Sequence, residues 1–541
     1  MDEVTRRGVL AGAALLGGAA AGVAAQTMAA PAALALPGTG GRTTPATGPV
    51  TVGPGDPRYR SLTRRGCNAR FVGRPDYVRV VGSTEQAVSA VQQAVREGRR
   101  IAVRSGGHCF ENFVDDPSVR VVVDVSPMSA VHYDARRGAF AVEPGASLGE
   151  VYRRLFLGWG VTVPAGATAE VGVGGHVLGG GYGVLSRRHG LSVDYLHAVE
   201  VVVVDASGRA ASVVATREPS DPNHELWWAH TGGGGGNFGV VTRYWFRDPE
   251  ARGSDPARLL PKAPESVTTF HASWSWNDLD RRSFTRLVRN HGSWYEQHSA
   301  ADSPYAGLFS VLMLNSRKSG TITLIGQLDS TGPGAQRLMD DYVAAVGRGV
   351  GVRPARGHES RPWLQAAAQV QETAPAPFKA KAAYLRKRFT DRQIAVVHDH
   401  LSSKAGGDSN GTLWLVSYGG KVNTVPPGAT AVAQRDSILK AIYATDWEDP
   451  RADSGPHLAW VRDFYRSVYS DSGGVPVPGA GSGGSFINYP DTDLADAVLN
   501  TSGCPWHTLY YQDNYPRLQR AKARWDPRNE FRHALSVSPT T

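Results

Sequence analysis

Short apolar runs alternate with helical faces along the first third of the folded chain. In residues 83–98 the apolar positions Val88, Val91 and Val95 recur on one face of a helix. Ser83 and Gln86 have the spacing of a capping box at its start, and Gly98 predicts its end. A second helix is predicted from Ser147, with Glu150 in its first turn, to Gly158; strands are predicted at Val78–Val81, Ile101–Val103, Val121–Val125 and Ala139–Glu143.

The next segments predict a buried strand, a short helix and another strand. The strand Ala198–Val204 is almost continuously apolar, which is typical of burial on both faces. His224–Ala229 is the predicted helix and Val240–Phe246 the second strand. From about Pro249 the pattern changes to period-two alternation separated by helical faces. Alternating strands are predicted at 267–276, 307–315 and 321–327, and helices near 281–296, 335–346 and 391–401. The whole pattern predicts an α+β protein with a separate domain of antiparallel sheet and helices.

The loop Arg104–Glu111 follows one of the predicted strands and has the composition of a ligand-binding turn. Gly106 and Gly107 leave no Cβ to block backbone N–H groups from approaching a ligand. Arg104 adds positive charge, so the loop suits a pyrophosphate. His108 follows at a place where it could reach a ligand ring.

Two further tracts are too rich in glycine for ordinary helix or strand interiors. Residues 164–183 form the longer one, and we expect its backbone to line a narrow site. The other, 232–239, matches the dinucleotide fingerprint GxGxxG at Gly234, Gly236 and Gly239. A Rossmann site requires the glycines to precede a helix, whereas here they precede a strand, so we reject that interpretation.

These tracts, together with the carboxyl-terminal stretches 488–491, 510–518 and 526–533, resemble a known flavoprotein family. The resemblance is to the FAD-linked oxidases of the vanillyl-alcohol-oxidase/p-cresol methylhydroxylase superfamily, in the berberine-bridge-enzyme-like branch. It covers residues 59–538 and implies an FAD-binding domain of two subdomains. The expected division is an FAD-binding domain at 59–248, a substrate domain with an antiparallel sheet covered by helices at 249–482, and a carboxyl-terminal segment at 483–541 that returns to the FAD domain.

The resemblance also implies roles for individual residues. His108 is expected to carry the 8α-methyl group of FAD on a ring nitrogen. Thr168 stands where many relatives have a cysteine bonded to the flavin, so we expect attachment through His108 only. Val171 is expected beside the carbon that reacts with O₂, where valine accompanies oxidase behaviour. Other cofactor contacts are expected from Arg104, Ser105, Gly106, Gly107, Cys109, Gly172, Gly174, Gly175, His176, Gly179, Gly183, Gly239, Val240, Tyr511 and Asn514.

Two tyrosines, Tyr418 and Tyr489, are the candidate catalytic bases that the family resemblance implies. A phenol with a pKa of about 10 is a poor base at neutral pH unless a cation or hydrogen bond stabilises the phenolate. Lys421 and the basic stretch 386–388 are candidate cations.

The amino terminus predicts export. Arg6 and Arg7 precede an alanine-rich apolar run from Ala11 to Ala25, and residues 33–35 look like a cleavage site. We interpret 1–35 as a twin-arginine signal peptide and 36–58 as a disordered linker, with no membrane anchor. That export route carries folded proteins, which suits a protein loaded with a cofactor.

Composition narrows the class of partner. The net charge of +9 comes mostly from scattered arginines rather than a lysine stripe, so nucleic acid is not expected. Three cysteines argue against a disulfide framework, although one pair could form. No metal-ligand spacing appears, and we expect no metal.

The predicted function is that of a secreted FAD-dependent oxidase, as a monomer or homodimer, with a small-molecule substrate and O₂. It would take a hydride from an alcohol C–H bond of a sugar, oligosaccharide or glycosylated natural product and reduce O₂ to H₂O₂. Alternatives are a tailoring flavoenzyme acting as a dehydrogenase, oxygenating or cyclising enzyme, and a flavin-binding protein without oxidase activity.

Overall fold

The computed structural model describes residues 48–367, 374–403 and 410–539. The predicted signal peptide 1–35 and residues 36–47 of the predicted linker lie outside them. Within the described part of the linker, the alternating segment Val50–Val52 forms strand β1 and buries Val52. The prediction of disorder is therefore wrong for these residues, because they pair as an antiparallel edge strand with residues 78–80.

A four-stranded sheet forms the first subdomain and delivers the loop that contains His108. Its other strands are β2 (Tyr77–Val80), β3 (Ile101–Arg104) and β4 (Val121–Asp124), in the order β1-β2-β4-β3. The last three are parallel, and the helix Thr84–Arg96 packs against them with Ala87, Ala90 and Val91 buried. Ser83 caps this helix as predicted, accepting from the Gln86 backbone N–H. The loop from Arg104 thus leaves the carboxyl end of a parallel strand, a common position for ligand-binding loops.

A five-stranded antiparallel sheet forms the second subdomain. It comprises β5 (Val131–Asp134), β6 (Ala139–Val142), β7 (Leu196–Val204), β8 (Ala210–Thr216) and β9 (Val240–Phe246), in the order β5-β6-β9-β7-β8. The predicted second helix spans Leu148–Trp159 and ends at Gly160 rather than Gly158. Gly160 adopts the left-handed conformation that terminates a helix, with φ of 69°.

The long glycine tract contains one element that its composition argues against. Residues Val173–Leu178 form a short helix in which Val173 and Val177 are buried. The Tyr244 hydroxyl donates to the Gly174 carbonyl at 2.9 Å, so tertiary contacts stabilise a turn that glycine propensity alone disfavours. The expectation that this tract excludes helix is wrong at this point.

The later part of the chain builds an eight-stranded antiparallel sheet, as predicted from the alternation after Pro249. Its order is β13-β10-β12-β11-β15-β16-β14-β17. The strands are β10 (Ser266–Ser275), β11 (Phe309–Asn315), β12 (Thr321–Asp329), β13 (Ala355–Pro362), β14 (Phe378–Leu385), β15 (Asn410–Ser417), β16 (Leu439–Asp446) and β17 (Ser482–Gly484). Four helices pack side by side against it, in the order Ala335–Gly347, Arg281–His298, Asp391–Ser402 and Gly455–Val468.

After β17 the chain returns to the first two subdomains through the helices Trp506–Tyr511 and Tyr515–Trp525. The Tyr511 hydroxyl donates to Gly233 O, and the Lys522 ammonium donates to Asn237 O. The remaining helices are short: Tyr59–Thr63, Ser186–His189, His224–Ala229 and Trp363–Ala367, with 3₁₀ turns at Ser192–Tyr195, Pro256–Arg258, Arg317–Ser319, Gly420–Thr424, Ser470–Ser472, Thr492–Ala495 and Gln512–Asn514. Within the described ranges, no helix has the length and apolar character to cross a bilayer.

Candidate active site

A cavity lies where the two smaller sheets, the large sheet and the carboxyl-terminal segment meet. Glycine backbones from all three tracts form much of its wall, and the large sheet contributes Phe309, Val416 and Lys440. The residues predicted for the site that line it are Arg104, Ser105, Gly106, Gly107, His108, Cys109, Thr168, Val171, Gly172, Gly174, Gly175, His176, Gly183, Gly239 and Tyr489. Folding therefore brings together most of a set that is spread over nearly 400 positions of the sequence.

The first glycine loop packs against the second by backbone contact. A Cβ on Gly106 would lie 2.4 Å from the backbone nitrogen of Gly172, which leaves no room for a side chain. Gly107 has a φ of +85°, a conformation that suits glycine, and His108 follows it at the cavity wall. The two glycines thus fix the backbone that carries His108.

Arg104 does not supply the free positive charge that the sequence suggested. Its side chain is buried, forms an ion pair with Asp115 at 2.7 Å and donates to the Leu62 carbonyl. Because Asp115 neutralises the guanidinium charge, Arg104 acts in holding the loop rather than in attracting a pyrophosphate. The neighbouring Ser105 also faces protein, since its hydroxyl donates to Pro144 O at 2.6 Å.

His176 forms a hydrogen bond within the second glycine tract. Its Nε2 accepts the Gly166 backbone N–H at 3.0 Å, and its own carbonyl accepts from Asn488. Burial lowers the pKa of His176 to about 4. The ring is therefore neutral at physiological pH and supports the wall of the cavity as a hydrogen-bond acceptor.

The cavity wall fits a large planar cofactor approached by backbone. At Gly175, no protein atom lies within 4 Å of the place a Cβ would take, and the residue is exposed and lines the cavity. Gly234, Gly235 and Gly236 line another part of the wall, and the strand β9 that follows them excludes the Rossmann arrangement. A side chain at Gly175 would enter the space, so the glycine keeps it available for a ligand.

Five predicted site residues lie behind the wall instead of on it. The Gly179 backbone packs against the Asn488 side chain, and Val240 is buried next to the cavity-lining Val241. The Tyr511 hydroxyl donates to Gly233 O, while the Asn514 amide donates to Pro427 O at 2.9 Å. The fifth residue, Tyr418, is fully buried and donates to Gln434 O at 3.1 Å. In this structure these residues support the site from outside the cavity.

Tyr489 lies in the cavity within a group of aromatic rings around one lysine. Its ring stacks on Phe110, with centroids 4.9 Å apart and an interplanar angle of 8°. The Lys440 Nζ lies 3.6 Å from the ring centroid of Tyr182, 4.4 Å from that of Phe486 and 5.9 Å from that of Tyr489. This arrangement places an amine close to the candidate base.

The electrostatics of this group differ from those of surface lysine and tyrosine. Burial lowers the pKa of Lys440 well below its usual value, and burial raises the pKa of Tyr489 above that of a free phenol. No ion-pair partner of Lys440 is found among the described residues. Burial therefore disfavours the charged form of both side chains.

Lys440 and Tyr182 are the site residues that sequence reasoning missed. The proposed cations do not reach the tyrosines as expected: Lys421 is exposed on a 3₁₀ turn, and Arg386 forms an ion pair with Asp436 at 2.8 Å. The signal for Lys440 is a single lysine within the buried strand β16, where the adjacent residues Leu439 and Ala441 are apolar. Tyr182 lies near the end of the second glycine tract, and no separate role was predicted for it.

No group of histidine, cysteine and acidic side chains suited to a metal ion occurs in the described ranges.

Comparison with known proteins defines the class. Residues 75–212 match the family model of an FAD binding domain, and residues 485–538 match that of berberine and berberine-like proteins. The chain belongs to the berberine-bridge-enzyme-like family of FAD-linked oxidoreductases, within the vanillyl-alcohol-oxidase flavoproteins.

Individual relatives match over nearly the whole chain. It is 56% identical to aclacinomycin-N/aclacinomycin-A oxidase of Streptomyces galilaeus, over 100% of this chain and 99% of that protein. Hexose oxidase of Chondrus crispus is 32% identical, over 89% of this chain and 93% of its own length. The crystal structure of a glycopeptide hexose oxidase complexed with teicoplanin matches with a TM-score of 0.88 and 52% identity, covering 92% of this chain and 100% of that one.

Proposed function

We propose that this protein oxidises an alcohol on the sugar of a glycosylated natural product, or on a related free sugar, and passes the electrons to O₂. The observation that carries the proposal is the cavity in which His108, Tyr489 and Lys440 meet. Support also comes from relatives named for the oxidation of a glycosylated compound or a hexose, at 56% and 32% identity. When bound, FAD would supply the hydride acceptor.

We propose a single covalent link, between His108 and the flavin. Thr168 lines the cavity where many relatives have a cysteine, and its hydroxyl is far too weakly acidic to add to the flavin ring at neutral pH. Cys109 is no substitute, because burial raises the pKa of its thiol to about 12 and the thiol donates to Glu111 O at 3.2 Å. One tether leaves more room over the ring for a bulky substrate.

Tyr489 and Lys440 are proposed to remove the hydroxyl proton of the substrate. Tyr489 alone is unsuited to this task, because burial raises the pKa of its phenol. For Tyr489 to act as a base, its phenol proton must first pass to the Lys440 amine, which leaves an ammonium 5.9 Å from the Tyr489 ring centroid to stabilise the phenolate. The phenolate would then accept the hydroxyl proton of the substrate, so that the pair removes one proton in total.

Val171 is proposed to admit O₂ to the flavin. It is half-buried at the cavity wall, and its side chain is shorter than that of leucine. The adjacent Glu170 is exposed and does not line the cavity, so its charge faces solvent. With O₂ as the acceptor, the products would be the oxidised sugar and H₂O₂. We further propose export by the signal at residues 1–35.

The test is anaerobic mixing of purified protein with a panel of free hexoses and glycosylated polyketides, read as bleaching of the flavin absorbance. Bleaching by the glycosylated compounds or hexoses, followed by recovery and H₂O₂ release in air, is the expected result. A flavin that none of them reduces would support the alternative of a binding protein. Bleaching without rapid recovery in air would identify a dehydrogenase.

A further inference from the structure

Five acidic and basic side chains form a buried charge cluster outside the cavity: Glu111, Lys379, Lys381, Asp491 and Asp493. Each is at most 6% exposed. Glu111 belongs to the first glycine loop, the two lysines to strand β14 of the large sheet, and the two aspartates to the carboxyl-terminal segment. The cluster thus joins the three parts of the chain that build the active site.

Direct contacts connect every member of the cluster. Lys379 Nζ lies 2.7 Å from a carboxylate oxygen of Glu111 and 2.7 Å from one of Asp491. Lys381 Nζ lies 2.5 Å from Asp491 and 2.9 Å from Asp493. Positions 379 and 381 have the period-two spacing that places both lysines on one face of the strand.

A third cation contacts the cluster. Arg462, on the helix Gly455–Val468, donates to both carboxylate oxygens of Asp493, at 3.0 and 2.8 Å. Three carboxylates therefore contact three cations, and the positive charge of Arg70 also acts on Glu111. Burial lowers the pKa of Lys379, but the charges of Asp491 and Glu111 outweigh that effect and raise it above its usual value. The Lys379 ammonium is therefore held charged.

Burial of so many charges is a poor way to stabilise a fold. A well-packed apolar replacement of a buried ion pair is often as stable or more stable, because the ions lose their hydration. What an ionic cluster adds is a fixed geometry, since removing any one member leaves an uncompensated buried charge. The position of this cluster indicates which parts of the chain it holds in place.

The cluster is connected to both candidate reacting side chains by very short stretches of backbone. Glu111 is three residues after His108, and Asp491 is two residues after Tyr489. The loops also touch directly, because the Thr492 backbone N–H and hydroxyl both donate to the Glu111 carboxylate at 3.2 Å. At the cavity wall, the Phe110 ring stacks on that of Tyr489.

We propose that the buried charge cluster is a positioning device that fixes the loop carrying His108 against the segment carrying Tyr489, with β14 as the common anchor. Its members are positioning residues that act through His108 and Tyr489. The inference rests on the proposed function, because it assigns the cluster to the alignment of the flavin tether with the base.

The test compares Lys379→Met, Glu111→Gln and the double variant, each as full-length protein. Lys379→Met leaves three carboxylates facing two cations, whereas the double variant restores equal numbers. Leu401→Ala is the matched control, since Leu401 is fully buried on the helix Asp391–Ser402 and does not line the cavity. For each variant we would measure thermal stability, the fraction of flavin attached to residue 108, the rate of anaerobic flavin reduction and the substrate affinity.

Lys379→Met is expected to slow flavin reduction roughly 100-fold, the loss typical of a displacement of about 1 Å between reacting groups. Substrate affinity should change little, the attached fraction of flavin should fall, and the double variant should recover part of both losses. Leu401→Ala should lose stability alone. If Lys379→Met does not fold, the isosteric Glu111→Gln variant carries the test on the same measurements.

Either of two results would overturn the proposal: a flavin reduction rate in Lys379→Met or Glu111→Gln that equals that of the Leu401→Ala control, or a double variant no better than the worse single one. Failure of the proposed function is a different outcome, because it would appear in the wild-type protein as a flavin that no substrate reduces.

Discussion

Replacing Lys440 by methionine should raise the stability of the protein and slow its catalysis. The lysine side chain is 2% exposed, has aromatic neighbours and has no carboxylate partner among the described residues. Methionine has a similar length, is apolar and adapts to irregular packing. The substitution therefore removes a buried amine without opening a large cavity.

The stability gain follows from the lowered pKa of Lys440 in the folded protein. In the unfolded chain a lysine has a pKa of about 10.4, and each unit by which burial lowers that pKa on folding costs up to about 1.4 kcal/mol at pH 7. We expect Lys440→Met to gain about 1–3 kcal/mol at pH 7 by removing this cost.

The sign of the pH dependence distinguishes this explanation from simple repacking. Because the folded pKa of Lys440 is lowered, the unfolded state binds more protons between that folded pKa and about pH 10, and wild-type stability rises with pH there. Within this range the advantage of the variant should therefore shrink by up to about 1.4 kcal/mol for each pH unit of increase. Denaturant unfolding of the two proteins at a series of pH values measures this difference.

The rate of flavin reduction should fall in the same variant. Without the amine to accept its proton, Tyr489 is a poor base, and anaerobic flavin reduction should slow roughly 100-fold or more. A stability difference that does not change with pH would show that Lys440 is charged in the folded protein. An unchanged rate of flavin reduction would remove Lys440 from the mechanism.

Three further predictions concern the flavin. His108→Ala should release the flavin into the supernatant on acid precipitation, whereas wild-type flavin should stay on the pellet; wild-type flavin wholly in the supernatant would exclude the link. Val171→Leu should slow reoxidation of the reduced enzyme by O₂ far more than its reduction by substrate, and equal effects would refute the role of Val171. Thr168→Cys should give a proteolytic flavin peptide containing both residue 108 and residue 168, with an altered visible spectrum. Two attachments already present in the wild type would show that the position of Thr168 was misassigned.

Local signals in the sequence were sufficient for much of the fold. The capping residue Ser83, the apolar run of β7 and the alternation of β10–β12 predicted elements that the structure confirms. The strands β14 and β16 were missed, because Lys379, Lys381 and Lys440 interrupt their apolar patterns. Two of these lysines are buried only because carboxylates more than 100 positions away neutralise them. Such pairing leaves no local signal.

The sequence predicted the parts of the site that depend on glycine backbone. It did not predict the side-chain directions that depend on residues distant in the sequence. Glycine lets a ligand approach the backbone closely wherever it occurs. The cavity is lined by Gly106, Gly107, Gly172, Gly174 and Gly175. The direction of a side chain depends on its neighbours in space: Asp115 takes the charge of Arg104, and Gln434 takes the hydroxyl of Tyr418. The tyrosine that borders the cavity next to Lys440 is Tyr182, for which the sequence predicted no role.

In the proposed reaction, a hydride leaves the carbon that bears the oxidised hydroxyl group of the sugar. Anaerobic flavin bleaching by one substrate of the panel can be compared with bleaching by the same substrate carrying deuterium at that carbon. We expect slower bleaching with deuterium and full recovery of the flavin spectrum in air. Bleaching at the same rate with both substrates, when chemistry limits the rate, would contradict it.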